Sequence, residues 1–160
     1  MTWNVVDSDQ LGEIDLFSQC GPYELARLAT LVSVERYRKN ELIIAEGSSG
    51  DRIFFIRQGS VRVSKTIPGV GEEALAILPE GSYFGEMALF GDHSERSADV
   101  YADQRTTLFV IYVDELHALL DTEPELAVRF LWGASKTLAE RLRAANAKVM
   151  FLSAAGVFGG

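Results

Sequence analysis

The sequence predicts a mainly β protein with helices on both sides of the β region, and two patterns carry this prediction. Between residues 33 and 112, short segments rich in branched and aromatic residues alternate with turn-forming residues. Before and after this region, apolar residues recur at helical spacing. A chain of 160 residues suits one domain with a single core. We therefore expect one domain over residues 1–160, built on an antiparallel, jelly-roll-like barrel or sandwich of the double-stranded β-helix type.

The elements follow in order along the chain. Pro22 suits the first position of a helix, and the apolar spacing after it predicts a helix over 22–32. Turns rich in glycine, proline and asparagine then separate the β segments. Seven or eight strands are expected from the segments VERYR, LIIAE, IFFIR, SVRVSKTI, EALAIL, SADVYA and TTLFVIY.

The C-terminal region, about 113–152, is predicted to be helical. A short helix is expected over 113–120, and a long one begins at Pro124, with Thr122 as its N-cap. The long helix has apolar residues at alternating spacings of three and four, which is a heptad seam. We expect this seam to join two copies of the chain in a homodimer through the 124–152 helix; the alternative is packing on the chain's own β region. The seam residues are Val128, Leu131, Ser135, Leu138, Leu142, Ala145, Val149 and Leu152.

Composition limits the classes of partner. The net charge of −8 and the lack of a basic run argue against direct contact with nucleic acid. No apolar run reaches the ~18–20 residues of a membrane span, and the N-terminal residues do not resemble a signal peptide. The single cysteine, Cys20, cannot form an internal disulfide. The sequence therefore predicts a cytoplasmic protein that does not bind membranes.

The segment FGEMALFGDHSERSADV, residues 84–100, has the composition of a binding loop. Gly85 permits close approach of a ligand to the main chain, and one or two helical turns in GEMALF would direct unpaired amides at an anion. Arg96 can hold a phosphate through two nitrogens, Ser97 adds a hydroxyl, and the small Ala98 leaves its amide accessible. These residues predict a phosphate site.

Glu86 fits a different part of such a ligand. A carboxylate repels phosphate but accepts hydrogen bonds from a hydroxyl, such as a ribose 2′-OH. The segment therefore suits a small sugar phosphate or nucleotide. The alternative is structural, with Glu86 and Arg96 paired to each other in a pocket that binds nothing.

The whole segment resembles the phosphate-binding cassette of cyclic nucleotide-binding domains, the modules found in bacterial catabolite activator-type regulators, kinase regulatory subunits and gated channels. The family pattern of Phe-Gly-Glu, an aliphatic residue, Ala and Leu, and then Arg-Ser-Ala, stands here at 84–89 and 96–98. Upstream, EGSSGDRIFFIRQGSVRV and IDLFSQCGPYELARLATLV also resemble the family, so that the likeness spans about residues 14–152.

The resemblance implies a role for each matching residue. Ribose contacts would come from Gly85 and Glu86, the cyclic phosphate would be neutralised by Arg96, and Ser97 and the Ala98 amide would add hydrogen bonds. The sugar and base would pack near Leu75 and Met87, and the long helix would bring Arg141 and Asn146 to the purine. The implied ligand residues are Leu75, Gly85, Glu86, Met87, Ala88, Arg96, Ser97, Ala98, Arg141 and Asn146.

The function expected from this resemblance is that of a sensor without catalytic activity. The ligand would be cAMP, with cGMP or a cyclic dinucleotide as alternatives, and no cofactor is expected. His93 and His117 are too few and too far apart in sequence for a cupin-type metal centre, and we expect both on solvated surfaces. No helix-turn-helix region follows Leu152, so the chain reads as a stand-alone sensor or as the sensor part of a transcription regulator or channel; a non-binding dimerisation scaffold is the other alternative.

Overall fold

Two four-stranded antiparallel sheets lie face to face and are flanked by helices in the computed structural model, which describes residues 6–91 and 95–156. The helices are α1 Ser8–Gly12, α2 Pro22–Ala29, α3 Met87–Phe90, α4 Val113–Thr122 and α5 Pro124–Ala154, with a 3₁₀ turn at Asp15–Phe17. The strands are β1 Ser33–Tyr37, β2 Leu42–Ile44, β3 Arg52–Gln58, β4 Val61–Ile67, β5 Gly71–Leu78, β6 Tyr83–Phe84, β7 Asp99–Ala102 and β8 Thr106–Tyr112.

The predicted fold class is confirmed, with one refinement of its shape. Sheet I has the strand order β1-β8-β3-β6, and sheet II has the order β2-β7-β4-β5. No strand pairing joins the two sheets within the described ranges, so the architecture is a jelly-roll-like sandwich and not a closed barrel. The β5 edge of sheet II is left open, and nearly all of that strand is exposed.

Sheet I is covered on both faces, because its strands supply two cores. Along β3, Ile53 and Phe55 pack with the helices, whereas Phe54 and Ile56 face sheet II. This alternation is the two-residue period of a β-strand, here with apolar residues on both sides. The helices are thereby fixed to one face of sheet I, and the second core lies between the two sheets.

Helix boundaries differ slightly from the sequence prediction. Helix α2 ends at Ala29 rather than residue 32, because Thr30 closes it with a hydroxyl bond to the Arg27 carbonyl (2.7 Å). The expected capping role of Thr122 is wrong. Its hydroxyl donates to the Leu119 carbonyl at 3.0 Å within α4, and Glu123 occupies the N-cap of α5.

Helix α5 packs on the fold along its first half only. Phe130 is fully buried, and Gly133 crosses the 3₁₀ turn so closely that a Cβ there would overlap the Leu16 carbonyl oxygen. From Leu142 onward the helix is almost wholly exposed. The seam therefore lacks a partner within the described part of this chain; several of its residues are exposed, namely Val128, Leu131, Leu138, Leu142 and Val149.

The described residues lack two other features that would bear on function. None of their helices is long and apolar enough to cross a membrane. Nor do these residues contain a group of three histidine, cysteine or acidic side chains that could hold a metal ion.

Candidate functional site

A cavity of about 220 Å³ opens between the sheets beside the predicted binding segment. Its inner wall is apolar and comes from Ile44, Val63, Leu78, Phe84 and Val100. Eight of the ten predicted ligand residues line it: Gly85, Glu86, Met87, Ala88, Arg96, Ser97, Ala98 and Arg141. The apolar wall on one side and the polar segment on the other suit a ligand with a flat, weakly polar part and a charged part.

The chain turns sharply at Gly85 to form this wall. Gly85 has a φ of +80°, a conformation that side-chain-bearing residues rarely adopt, and it ends β6 just before α3. A Cβ there would lie 3.0 Å from the Arg52 carbonyl oxygen and 3.1 Å from Nη1 of Arg96. Only glycine lets the backbone pass this close to the guanidinium.

The main chain sets the orientation of Arg96. Its Nη1 donates to the Gly85 carbonyl at 3.0 Å, and its Nη2 donates to the Arg52 carbonyl at 2.8 Å. Its own backbone amide donates to the Ser48 carbonyl at 2.8 Å, and its carbonyl accepts from the Gly47 amide at 2.8 Å. A guanidinium has five N–H groups, so donors remain for a ligand after these two side-chain bonds.

The charge of Arg96 has little compensation from the protein. Burial lowers the pKa of Arg96, and the nearby Asp51 and Glu86 carboxylates oppose that effect. Gly50 packs against the guanidinium so tightly that a Cβ there would overlap it. No carboxylate within the described ranges comes within ion-pair distance of Arg96. The site thus presents a partly desolvated cation to the cavity.

Glu86 is paired with Arg141 and not with Arg96. Nη1 of Arg141 donates to Oε1 of Glu86 at 3.2 Å, and Nη2 donates to the Tyr83 carbonyl. The Arg141 guanidinium also lies over the Tyr83 ring, 4.3 Å from its centroid. The structural alternative considered from the sequence, a direct Glu86–Arg96 pair in a filled interior, is therefore wrong.

Two predicted ligand residues lie away from the cavity. Leu75 is the extra residue of a β-bulge, between the pairs Val63–Ala76 and Ser64–Ala74, and is half exposed. Asn146 follows Arg141 by five residues, which is about 140° around the helix, and it points into solvent. Neither lines the described cavity, and their ligand contacts stay predictions.

The two histidines have different outcomes. His93 lies outside the described residues. His117 lies on an exposed face of α4, as expected, and Nε2 of its ring is 2.9 Å from the Leu89 carbonyl oxygen. This bond joins α4 to α3, which lies within the predicted binding segment. Sequence reasoning also missed Arg52, whose carbonyl oxygen, not its side chain, holds Arg96, and no residue pattern signals such a contact.

Comparison with known proteins accounts for this arrangement. The profile of the cyclic nucleotide-binding domain matches residues 34–123. The chain belongs to this family.

Relatives of the cyclic nucleotide-binding domain occur in several kinds of protein. The chain is 35% identical over 148 residues to glutaminase 1 of Bradyrhizobium diazoefficiens, covering 92% of the chain and 23% of that protein. It is 31% identical over 138 residues to the cyclic AMP receptor protein of Thermus thermophilus, covering 86% and 62%. The chain thus spans only part of the length of these relatives.

Solved structures agree with the fold. A cyclic nucleotide-binding domain from Methylobacillus flagellatus superposes with a TM-score of 0.79 at 25% identity, covering 89% of this chain and 84% of that one. The shared architecture extends beyond the matched family segment to the N- and C-terminal helices.

Proposed function

We propose that this domain is a cAMP sensor that binds the nucleotide without altering it and signals through α5. The observation that carries the proposal is the placement of Arg96. Two backbone carbonyls direct its guanidinium, and it lines a cavity whose polar wall also contains a carboxylate. The domain's role is regulatory; any catalysis belongs to other parts of a longer protein or to a separate partner.

The phosphate end of the ligand would bind at Arg96. A cyclic phosphate carries one negative charge, which a half-buried guanidinium without an ion-pair partner in the described ranges can neutralise through parallel hydrogen bonds. Ser97 and the Ala98 amide line the same wall and would complete the cradle. The apolar wall between the sheets would receive the sugar and part of the base.

The ribose end would bind at Glu86. Oε1 of Glu86 already accepts from Arg141, and Oε2 remains to accept from a ribose hydroxyl. Ligand binding would therefore act on the carboxylate that holds α5. Because only one position of α5 keeps Arg141 on Glu86, a ligand that prefers one position would shift the population of the helix.

The choice of cAMP rests on two supports. The Thermus thermophilus relative is named a cyclic AMP receptor protein. Ser97 is the residue found at this position in bacterial cAMP binders, whereas a threonine often accompanies cGMP preference. Calorimetric titration with cAMP, cGMP and cyclic di-GMP tests the choice, and tighter binding of cGMP or the dinucleotide would reject it.

Arg96→Ala tests the site itself. Loss of the guanidinium would leave the phosphate charge unpaired in a desolvated position, and the binding free energy should weaken by about 2–5 kcal/mol. Arg105→Ala, which removes an exposed arginine that does not line the cavity, is the matched control and should bind normally. Equal cAMP affinity in both variants would reject the proposed cAMP site and favour the alternative of a non-binding dimerisation scaffold.

The domain is also proposed to be a homodimer through the α5 seam. The supporting observation is that the apolar seam residues of α5 are exposed in the single chain. Leu142→Asp should shift the sedimentation of the chain at micromolar concentration from dimer to monomer. If the wild-type chain sediments as a monomer at that concentration, the proposed dimer is refuted. The consequence of ligand binding would pass through α5 to a downstream protein.

A further inference from the structure

A second cavity of about 610 Å³ lies on the helix-covered face of sheet I. It shares no lining residue with the nucleotide cavity, which opens between the sheets. The floor of this second cavity, here called the arginine groove, is apolar and comes from Val6, Val34 and Phe109. Its walls contain Gln10, Arg36, Arg57, Gln58, Glu80 and Thr107.

Two arginines of the groove, Arg36 and Arg57, lie on the two strands that flank the strand of Thr107. Arg36 of β1 lies opposite Thr107 of β8, and Gln58 of β3 lies opposite the same threonine on its other side. A bulge after Ile56 makes Arg57 the extra residue of β3, and bulges of this kind redirect a side chain. Because β8 separates β1 from β3, the two arginine positions are about 10 Å apart across the sheet.

These two cations have little compensation. Arg36 has neither a side-chain hydrogen bond nor an ion pair within residues 6–91 and 95–156. Arg57 has one ion pair, 3.4 Å from Nη1 to Oε2 of Glu13, and that glutamate is two-thirds exposed. Exposed pairs of this kind contribute little. In a chain with a net charge of −8, two guanidinium groups that line one groove favour an anion between them.

The rest of the groove specifies the ligand further. Oε1 of Glu80 accepts from the Gly59 amide at 3.0 Å, which fixes the carboxylate in the wall and leaves its other oxygen for a cation. Two side-chain amides, of Gln10 and Gln58, can donate and accept. Guanidinium groups two strands apart can each take one carboxylate, while a short carbon chain covers the apolar floor.

We propose that the arginine groove is a second, separate binding site for a small dicarboxylate of four or five carbons. Arg36 and Arg57 bind one carboxylate each, Thr107 donates between them, and Glu80 accepts from an amino group if the ligand has one. The site makes no use of the nucleotide cavity.

Calorimetric titrations of the full chain with glutarate, L-glutamate and inorganic phosphate test the site. Glutarate and L-glutamate should bind with dissociation constants below about 5 mM, and L-glutamate more tightly, because its ammonium group reaches Glu80. Saturating cAMP should not compete. Absence of binding by both acids at that concentration would overturn the proposal, as would binding of phosphate that equals binding of glutarate.

Two variants of equal charge locate the site. Arg36→Gln should raise the dissociation constant for glutarate about tenfold or more, since a charge-assisted bidentate contact is lost. Arg38→Gln removes the same charge two residues along, outside the groove, and should bind glutarate as the wild type does. Equal weakening in both variants would show attraction to net charge alone and would overturn the proposal. Arg96→Ala should bind glutarate normally, which separates this result from that of the cAMP proposal.

Discussion

The two halves of α5 differ in what they contact, although they form one continuous helix. Up to Thr137 the helix buries side chains against the 3₁₀ turn and sheet I, as at Leu126 and Phe130. After Arg141 it extends away from the fold, and residues such as Met150 and Phe151 are about three-quarters exposed. Arg141 lies at the boundary and is bound to the nucleotide-binding segment.

This difference separates the half of the helix that stabilises the fold from the half that we propose for signalling. The first half fixes the direction of the helix, because Phe130 and Gly133 allow little movement against Leu16 and Phe17. The second half has few contacts with its own chain, so the Arg141 bonds to Glu86 and Tyr83 are the main link from that half to the cavity. A change at Glu86 can thus reach the exposed end of α5 without unfolding the core.

The largest expected effect is on stability and comes from Phe130→Ala. Phe130 is fully buried beside Phe17, with ring centroids 6.1 Å apart, so the variant loses apolar burial and leaves a cavity. The free energy of unfolding should fall by about 3–5 kcal/mol, measured by urea denaturation. Phe151→Ala, the matched change in the exposed half, should stay within about 0.5 kcal/mol. Similar losses in both variants would remove the distinction between the halves.

A second prediction concerns Cys20, which precedes α2 and lies close to Arg129, a residue in the packed half of α5. Burial raises the pKa of the Cys20 thiol to about 11, with Glu24 adding to the effect and Arg129 opposing it. Only the thiolate reacts, so at pH 8 alkylation by iodoacetamide should be about a hundredfold slower than for a thiol of pKa 9. The rate should continue to rise until the pH approaches 11.

The matched comparison for Cys20 is a thiol introduced on the exposed half of α5. Ser153→Cys in a Cys20→Ser background places it in the last turn of α5. Its alkylation rate should reach half of its maximum at about pH 8.5–9, because an exposed thiol has an ordinary pKa. Coinciding pH profiles for the two thiols would contradict the burial of Cys20.

The smallest expected effect comes from Gly133→Ala. In a helix, alanine is more favourable than glycine by about 1 kcal/mol. Its Cβ at this position, however, would overlap the Leu16 carbonyl oxygen and push the 3₁₀ turn away. The net loss of unfolding free energy should be about 1–3 kcal/mol. Ser135→Ala, on the exposed side of the same turn, should be neutral or slightly stabilising, and a stabilising Gly133→Ala would show that the crossing has room.

Residue patterns predicted the fold class and most of the residues that line the cavity, because the relevant signals are local. Arg96, Ser97 and Ala98 are adjacent, and Glu86 is only ten residues away. Such patterns cannot predict bonds from a side chain to a backbone atom far away in the sequence. The bond from Arg96 to the Arg52 carbonyl spans 44 residues and involves no side chain of Arg52.

Other features could not be read from residue patterns, for equally physical reasons. The bulge that displaces Leu75 arises from an uneven count of residues in two paired strands, which alternation in one strand does not reveal. Thr122 fits the composition of a helix cap, but its hydroxyl bonds to the preceding helix instead. The contact of the His117 ring with the Leu89 carbonyl joins α4 to α3 across 28 residues, and the polar face of α4 gives no sign of it.

The acceptors that aim Arg96 are both main-chain oxygens, and this affects how the pocket can change over evolution or in engineering. A point mutation cannot delete a carbonyl group, so substitutions of the Arg52 side chain leave the grip on Arg96 in place. In the proposed binding mode, variation at Met87 or Ser97 would change which nucleotide is preferred, while the anchor for its charge stays the same. Selectivity and charge recognition would then be separately adjustable.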